Sequence, residues 1–232
     1  MGSVSFGKAP MKFRTQIWSA GVAGARHTLK SGDDDNLMGL STELQLGYGF
    51  IWEKSFLISN VALISGPWAA KHHNLSLDFS GTGLTFMAGY NAEKGSLRAQ
   101  DNGYGFALGF NYSDIIGRKI GDIPTSKGDL MINTHLMRVT GYSLMPSIFF
   151  CWLQPGRPVG NQPELLKTTI EGYILTLGIA VPFKSSYKIT SEQSDTTKNQ
   201  DDKATTDPFQ VTKKGKMQGY SIFIAFSTLI GI

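Results

Sequence analysis

The chain has 232 residues, with 27 glycines, 11% aromatic residues and only 17% charged residues, below the roughly 25% usual in soluble domains. Its net charge of +4 comes from 22 Lys and Arg set against 18 Asp and Glu. The basic residues are scattered without a stripe, which argues against nucleic acid as a partner. Every apolar run is broken by Gly, Ser, Thr, Asn or a charge well before the roughly 18 residues that a transmembrane helix needs, so a helical membrane protein is excluded as well.

The lone cysteine, Cys151, cannot close an intramolecular disulfide and has no Cys or His nearby at metal-ligand spacing. No metal and no cofactor is expected. Residues 1–10 read as an N-terminal extension. They lack a basic segment followed by an apolar one, so the leader that an exported chain needs is expected to have been removed.

In chain order, residues 12–25 are strand-like with mixed parity. Residues 37–52 carry the clearest pattern: Met38, Leu40, Leu44, Leu46, Tyr48, Phe50 and Trp52 share one parity, and Gly39, Ser41, Glu43, Gln45, Gly47 and Gly49 the other. A period of two this long is a strand with one apolar and one polar face. Residues 55–68 are apolar on both faces. Residues 75–90 change parity at Gly81-Thr82-Gly83, which predicts a bulge or, less simply, a hairpin.

Residues 102–113 alternate again, with Tyr104, Phe106, Leu108, Phe110 and Tyr112 against Gly103, Gly105, Ala107, Gly109, Asn111 and Ser113. Residues 129–152 make either one long strand or a hairpin turning near Thr140-Gly141. Two further alternating strands follow at 169–183 and 220–232. Between them, residues 184–215 are rich in Ser, Thr, Asp, Lys, Gln and Asn, the composition of a long flexible loop.

The links alternate in length, as in bacterial outer-membrane barrels. Residues 53–54, 91–95 and 154–164 form one set; 30–36, 69–74, 117–128 and 184–215 form the other. With both termini and the first set in the periplasm, the long loops lie outside the cell. The reading is a single all-β domain, an antiparallel up-and-down transmembrane β-barrel of about eight strands. A soluble lipocalin-like barrel would have its faces reversed, with large apolar residues inside. In a narrow eight-stranded barrel the small polar set fits inside and the large set faces lipid.

Tyr48, Trp52, Trp68, Tyr90, Tyr112, Trp152, Tyr173 and Tyr220 are expected at the two membrane interfaces. Arg14, Glu43, Gln45 and Asn111 are expected to form a polar network in the lumen, with Asp78 and Glu171 on or beside strands. A buried charge needs a partner, so an ion pair crossing the interior is predicted, with Glu43 the surest inward carboxylate.

The cluster with His, Ser and Asp close together is His72, His73, Ser76 and Asp78, which at a barrel rim would suit a lipid-acting enzyme in which a His activates a Ser or a water. The bland reading, polar rim and lumen residues, weighs more, since the histidines lie in a loop and no family motif is present. Gly32-Asp33-Asp34-Asp35-Asn36 lacks the ligand spacing of a Ca²⁺ loop and reads as a solvated hairpin tip.

On the alternation in 37–52, 102–113 and 169–183, and on the last strand 220–232, the chain resembles the small outer-membrane barrels of the OmpX and OmpA transmembrane-domain type. The resemblance is one of architecture over most of the chain. The last strand resembles the C-terminal signal read by the barrel-insertion machinery, but ends Leu229-Ile230-Gly231-Ile232 in place of the usual aromatic residue.

The resemblance implies a bacterial outer-membrane location, contact with outer-membrane lipids and lipopolysaccharide, and an envelope protein partner through the outer loops. The function expected first is a non-enzymatic structural, adhesion or envelope-assembly role. The alternatives are a lipid-acting enzyme of acyltransferase or deacylase type using His72, His73, Ser76 and Asp78, and a narrow pore or carrier for small hydrophobic compounds.

Overall fold

A computed structural model of the chain describes residues 15–31, 35–70, 75–93, 97, 102–124, 130–155, 170–195 and 210–231, with only the backbone for 31, 35–37, 68–70, 75–77, 118–124, 130–135, 155, 189–195 and 210–214. Its elements are β1 (Thr15–Ser31), β2 (Asp35–Ile51), β3 (Ser55–Ala70), β4 (Leu75–Asn91), β5 (Gly103–Pro124), β6 (Leu130–Pro155), β7 (Ile170–Asp195) and β8 (Gln210–Gly231). Each strand pairs antiparallel with the next, and β8 closes on β1.

The register fixes the shape of the barrel. From Thr15 the cross-strand partners run to Ile51, Phe56, Gly89, Ala107, Ser147, Gly178 and Phe223, and return to β1 at Ala25, ten residues along. For eight strands, a shear of ten implies a tilt of about 40° and a backbone radius of about 8 Å. Such a lumen is filled by side chains.

The outer face shows why the sequence alternates. Leu40, Leu44, Leu46, Val61, Leu63, Leu108, Ile222 and Ile224 all point away from the barrel and are at least half exposed. An unbroken aliphatic band around a closed barrel is what lipid, and not water, accommodates. Strand β3, apolar on both faces, divides its residues: Leu57, Val61 and Leu63 face out, while Phe56, Ile58, Ala62 and Ile64 are buried within.

Strand β4 corrects the expected bulge. It pairs with β3 without a register shift, and its even-numbered residues face out from Asp78 to Tyr90. What changes is the location of the apolar residues. Near the start of the strand Phe79 is buried inside and Asp78, Ser80 and Thr82 are outside; further on Leu84 and Phe86 are outside and Thr85 is inside.

The same exchange occurs on the neighbouring strands. Ile115, Met137, Val139, Tyr187 and Met217 join Phe79 in an inner cluster, while Arg138, Thr140, Lys188 and Lys216 face out at that level. A barrel wall leaving the bilayer must turn its polar side outward to water, so the reversal marks the edge of the apolar belt.

Strand β6 is one strand, not a hairpin at Thr140-Gly141. The span 184–215 is mostly strand as well, because β7 continues to Asp195 and β8 begins at Gln210, leaving 196–209 outside the described residues. Its polar composition suits strands above the belt, and Tyr187, Ile189, Thr190, Val211 and Thr212 supply the β-forming residues.

Candidate functional site

The interior is layered along the barrel axis. At the end where β1 begins and β8 stops, Ile17, Ile51, Phe56, Ile58, Met87, Phe149, Cys151, Leu153, Ile170, Ile174 and Leu229 form an apolar floor. The rings of Phe56 and Phe149 meet edge to face, 5.0 Å between centroids. Leu97, from the link between β4 and β5, is 1% exposed and joins this cluster, held by its backbone N–H donating to the Glu53 carbonyl at 2.8 Å. The floor is therefore closed by side chains from the wall and by a stopper from a link.

Above the floor lies a polar layer. Ser19 donates to Asn60 Oδ1 at 2.9 Å, and Asn111 Nδ2 donates to Thr85 Oγ1 at 2.8 Å. Gln45 Nε2 donates to Glu43 Oε2 at 2.9 Å. His27 stands between Ser221 Oγ, 2.8 Å from Nδ1, and Ser41 Oγ, 2.7 Å from Nε2. It thereby ties β1 to both of its neighbours. Among the described residues no buried side-chain polar atom lacks a partner. A cavity of about 90 Å³, lined by His27, Glu43, Asn111, Ser143, Ser185 and Ser221 among others, separates this layer from the second apolar cluster. It is a few waters in size.

Glu43, Gln45 and Asn111 face the interior, with Glu43 and Gln45 bonded to each other. Among the described residues Glu43 accepts this hydrogen bond from the Gln45 amide, and Arg14, the cation expected in the lumen, lies outside them. An ion pair lies on the outer wall, where Arg138 donates from Nε and Nη2 to Asp114 at 2.8 and 2.5 Å. The pair sits beyond the Tyr112–Tyr142 contact, outside the belt, and Arg138 holds the Asp114 carboxyl below its ordinary range, chiefly through these hydrogen bonds.

Arg14, His72 and His73 lie outside the described residues. Ser76 lies in β4 opposite Ala69, but its side chain is also outside them, and Asp78 is exposed on the outer wall.

The aromatic residues expected at the interfaces fall at two levels. Tyr48, Tyr90, Trp152 and Tyr173 face out near the end with the apolar floor, with Trp52 in the adjoining link, and Trp18 and Tyr104 stand beside them. Tyr112 and Tyr220 lie at the far edge of the belt, where Tyr142 and Phe183 join them. The side chain of Trp68 is outside the described residues.

Sequence reasoning missed His27 because its partners lie on other strands. It also missed the Asp114–Arg138 pair, whose members are 24 residues apart in sequence and become neighbours only through the β5–β6 register.

A closed antiparallel barrel with an apolar outer belt, aromatic residues at both edges and a blocked polar lumen defines a membrane-spanning up-and-down β-barrel. No protein-family model matches the sequence, and no curated protein matches it. Among solved structures, an outer membrane channel from Pseudomonas putida F1 is similar at 8% identity and a TM-score of 0.26, covering 99% of this chain and 100% of the other. The beta domain of the Bordetella autotransporter Brka is similar at 8% identity and a TM-score of 0.28, covering 93% and 99%. At these scores neither carries an argument about what this chain does.

Proposed function

We propose that this protein is a non-enzymatic barrel of the bacterial outer membrane, of the OmpX and OmpA transmembrane-domain type, that serves adhesion or envelope assembly through the part of its wall beyond the belt. The observation that carries this reading is a difference in strand pairing. Among the described residues, β4–β5 pairing ends at Arg118 and β1–β8 pairing ends at Met217, whereas β5, β6 and β7 stay paired to Pro124, Leu130 and Asp195. Strands β5 to β8 thus continue as a sheet past the belt, with described strand partners on one side only for residues 119–124 and 210–216. At 3.3 Å per residue and this tilt, the sheet projects roughly 25 Å.

An open sheet edge is a template for pairing with another chain, and a protein that keeps one has a use for it or must guard it. The apolar floor supports the same reading, because it leaves no through-path for a channel. With the termini in the periplasm, the projecting sheet faces the cell exterior.

The test is a variant in which β5 and β6, and β7 and β8, are rejoined by short turns at the level of Arg138. The expected result is an intact barrel, seen as a mobility shift between boiled and unboiled samples, with loss of cell adhesion and of cross-linking to envelope proteins. Unchanged adhesion and cross-linking would overturn the proposal, as would steady ion currents through the parent protein in a planar bilayer.

A further inference from the structure

One stretch of the barrel wall lacks its ladder. Between the pairs Ala180–Ser221 and Ser186–Lys216, five residues of β7 stand against four of β8 with a register shift and no described pairing. Pro182 has no N–H to contribute there, and Gly219 on β8 has a φ of 120°. On its other side β7 carries an extra residue against β6, since Tyr142 pairs with Lys184 and Ser143 with Pro182. A bulge of this kind re-aims side chains, and here Phe183 and Lys184, consecutive in sequence, both face outward.

The result is a groove of about 820 Å³ on the outer wall at the far edge of the belt. Its apolar side is Tyr112, Tyr142 and Phe183, with Phe183 stacked on Tyr142. Its polar side holds two ammonium groups, Lys184 and Lys216, with Ser185, Ser186 and Gln218 between and around them. Farther from the belt Lys188 adds a cation, and the carboxylate described nearby, Asp114, is already bonded to Arg138. Two other grooves on the wall, one around Val22, Leu44 and Leu63 and one around Trp18, Tyr48 and Ile230, are lined by no lysine or arginine.

We propose that the β7–β8 break is a binding site for an anionic lipid of the adjoining leaflet, taking a phosphate of the headgroup between Lys184 and Lys216 and the first part of the acyl chains along Phe183, Tyr142 and Tyr112. Ammonium groups immediately beyond an aromatic edge sit at the depth of the headgroup phosphates, and an exposed apolar wall below them continues the site into the chain region. The site rests on the membrane-spanning reading but not on the adhesion role.

The test uses the full-length protein in a non-ionic detergent and reads retained lipid by native mass spectrometry. The probes are a diphosphorylated acylated glucosamine disaccharide, its dephosphorylated form and inorganic phosphate. The parent protein is expected to retain the phosphorylated glycolipid, and the Lys184→Gln/Lys216→Gln variant to bind it about thirtyfold more weakly. The dephosphorylated form is expected to bind the parent as weakly as the variant binds the full lipid, and Phe183→Ala to weaken both.

Inorganic phosphate in hundredfold excess should not displace the lipid; displacement would show a free-phosphate site and overturn the lipid assignment. Equal retention by parent and double variant would overturn the site itself. The boiled-versus-unboiled mobility shift, run on each variant, separates a lost site from a lost barrel.

Discussion

Phe56 lies directly across from Gly89 in the β3–β4 register, and a Cβ at Gly89 would overlap the Phe56 ring. The relationship recurs inside the barrel: Phe149 lies on Gly105, Phe79 on Gly117, Phe223 on Gly178 and Tyr187 on Gly215, each pair being cross-strand partners. With a backbone radius of about 8 Å, an inward ring has room only where the opposite position has no side chain. These five glycines are therefore packing surfaces for aromatic residues on an adjacent strand.

Gly117→Val is expected to destabilise the barrel, since a Cβ at that position would stand 2.6 Å from the Phe79 ring. Overpacking of this kind costs about 1–3 kcal/mol. Urea unfolding in detergent micelles checks it, and the companion Gly117→Val/Phe79→Ala variant should recover part of the loss by vacating the space.

His27→Ala removes the partner of two buried hydroxyls, Ser41 and Ser221, on two different strands. Leaving such groups unsatisfied costs about 1–3 kcal/mol. The same unfolding measurement is expected to show that loss, with His27→Gln retaining more stability than His27→Ala because its amide reaches at least one hydroxyl.

The Asp114–Arg138 pair predicts a pH dependence of definite sign. Because Arg138 lowers the Asp114 carboxyl in the folded state, the pair stabilises the barrel above the ordinary aspartate range, and its contribution disappears as pH falls through the lowered folded-state value. Arg138 is exposed and Asp114 partly so, so the effect is small and salt-sensitive. Unfolding midpoints of the parent and Asp114→Asn should differ slightly at neutral pH and converge in acid. A difference that grows in acid would contradict the assignment.

The position of the belt predicts that one substitution has different costs at two heights. Leu46, 70% exposed in mid-belt, should lose about 2–4 kcal/mol on replacement by arginine, whereas Ser80, outward but above the belt, should lose about 0–1 kcal/mol. Unfolding from lipid vesicles measures both.

These relationships also show what alternation in a sequence conveys. Strands β2, β5 and β8 were legible because long stretches of each lie within the belt, where lipid outside and a narrow lumen inside impose opposite demands on successive residues. Strand β4 looked bulged at Gly81-Thr82-Gly83 because the solvent on its outer face changes there, moving the apolar residues from the Phe79 side to the Phe86 side without any break in pairing. The projecting ends of β7 and β8 looked like a loop for the same reason, since sheet above the belt has no lipid to face.

Within the lumen, Glu43 and Gln45 were legible from parity alone. The His27 bridge and the groove at Phe183 and Lys184 were not. The first depends on the pairing of three strands, and the second on a single extra residue in β7.

The most direct measurement of the central claim, a barrel whose outward parity faces lipid, is spin-label accessibility at consecutive positions of β2 in lipid vesicles, with Cys151 replaced by serine. Labels at 44 and 46 should be relaxed strongly by oxygen and weakly by a water-soluble nickel complex, and a label at 45 should be shielded from oxygen. The reverse parity, or a protein that stays in solution without lipid or detergent, would contradict the account.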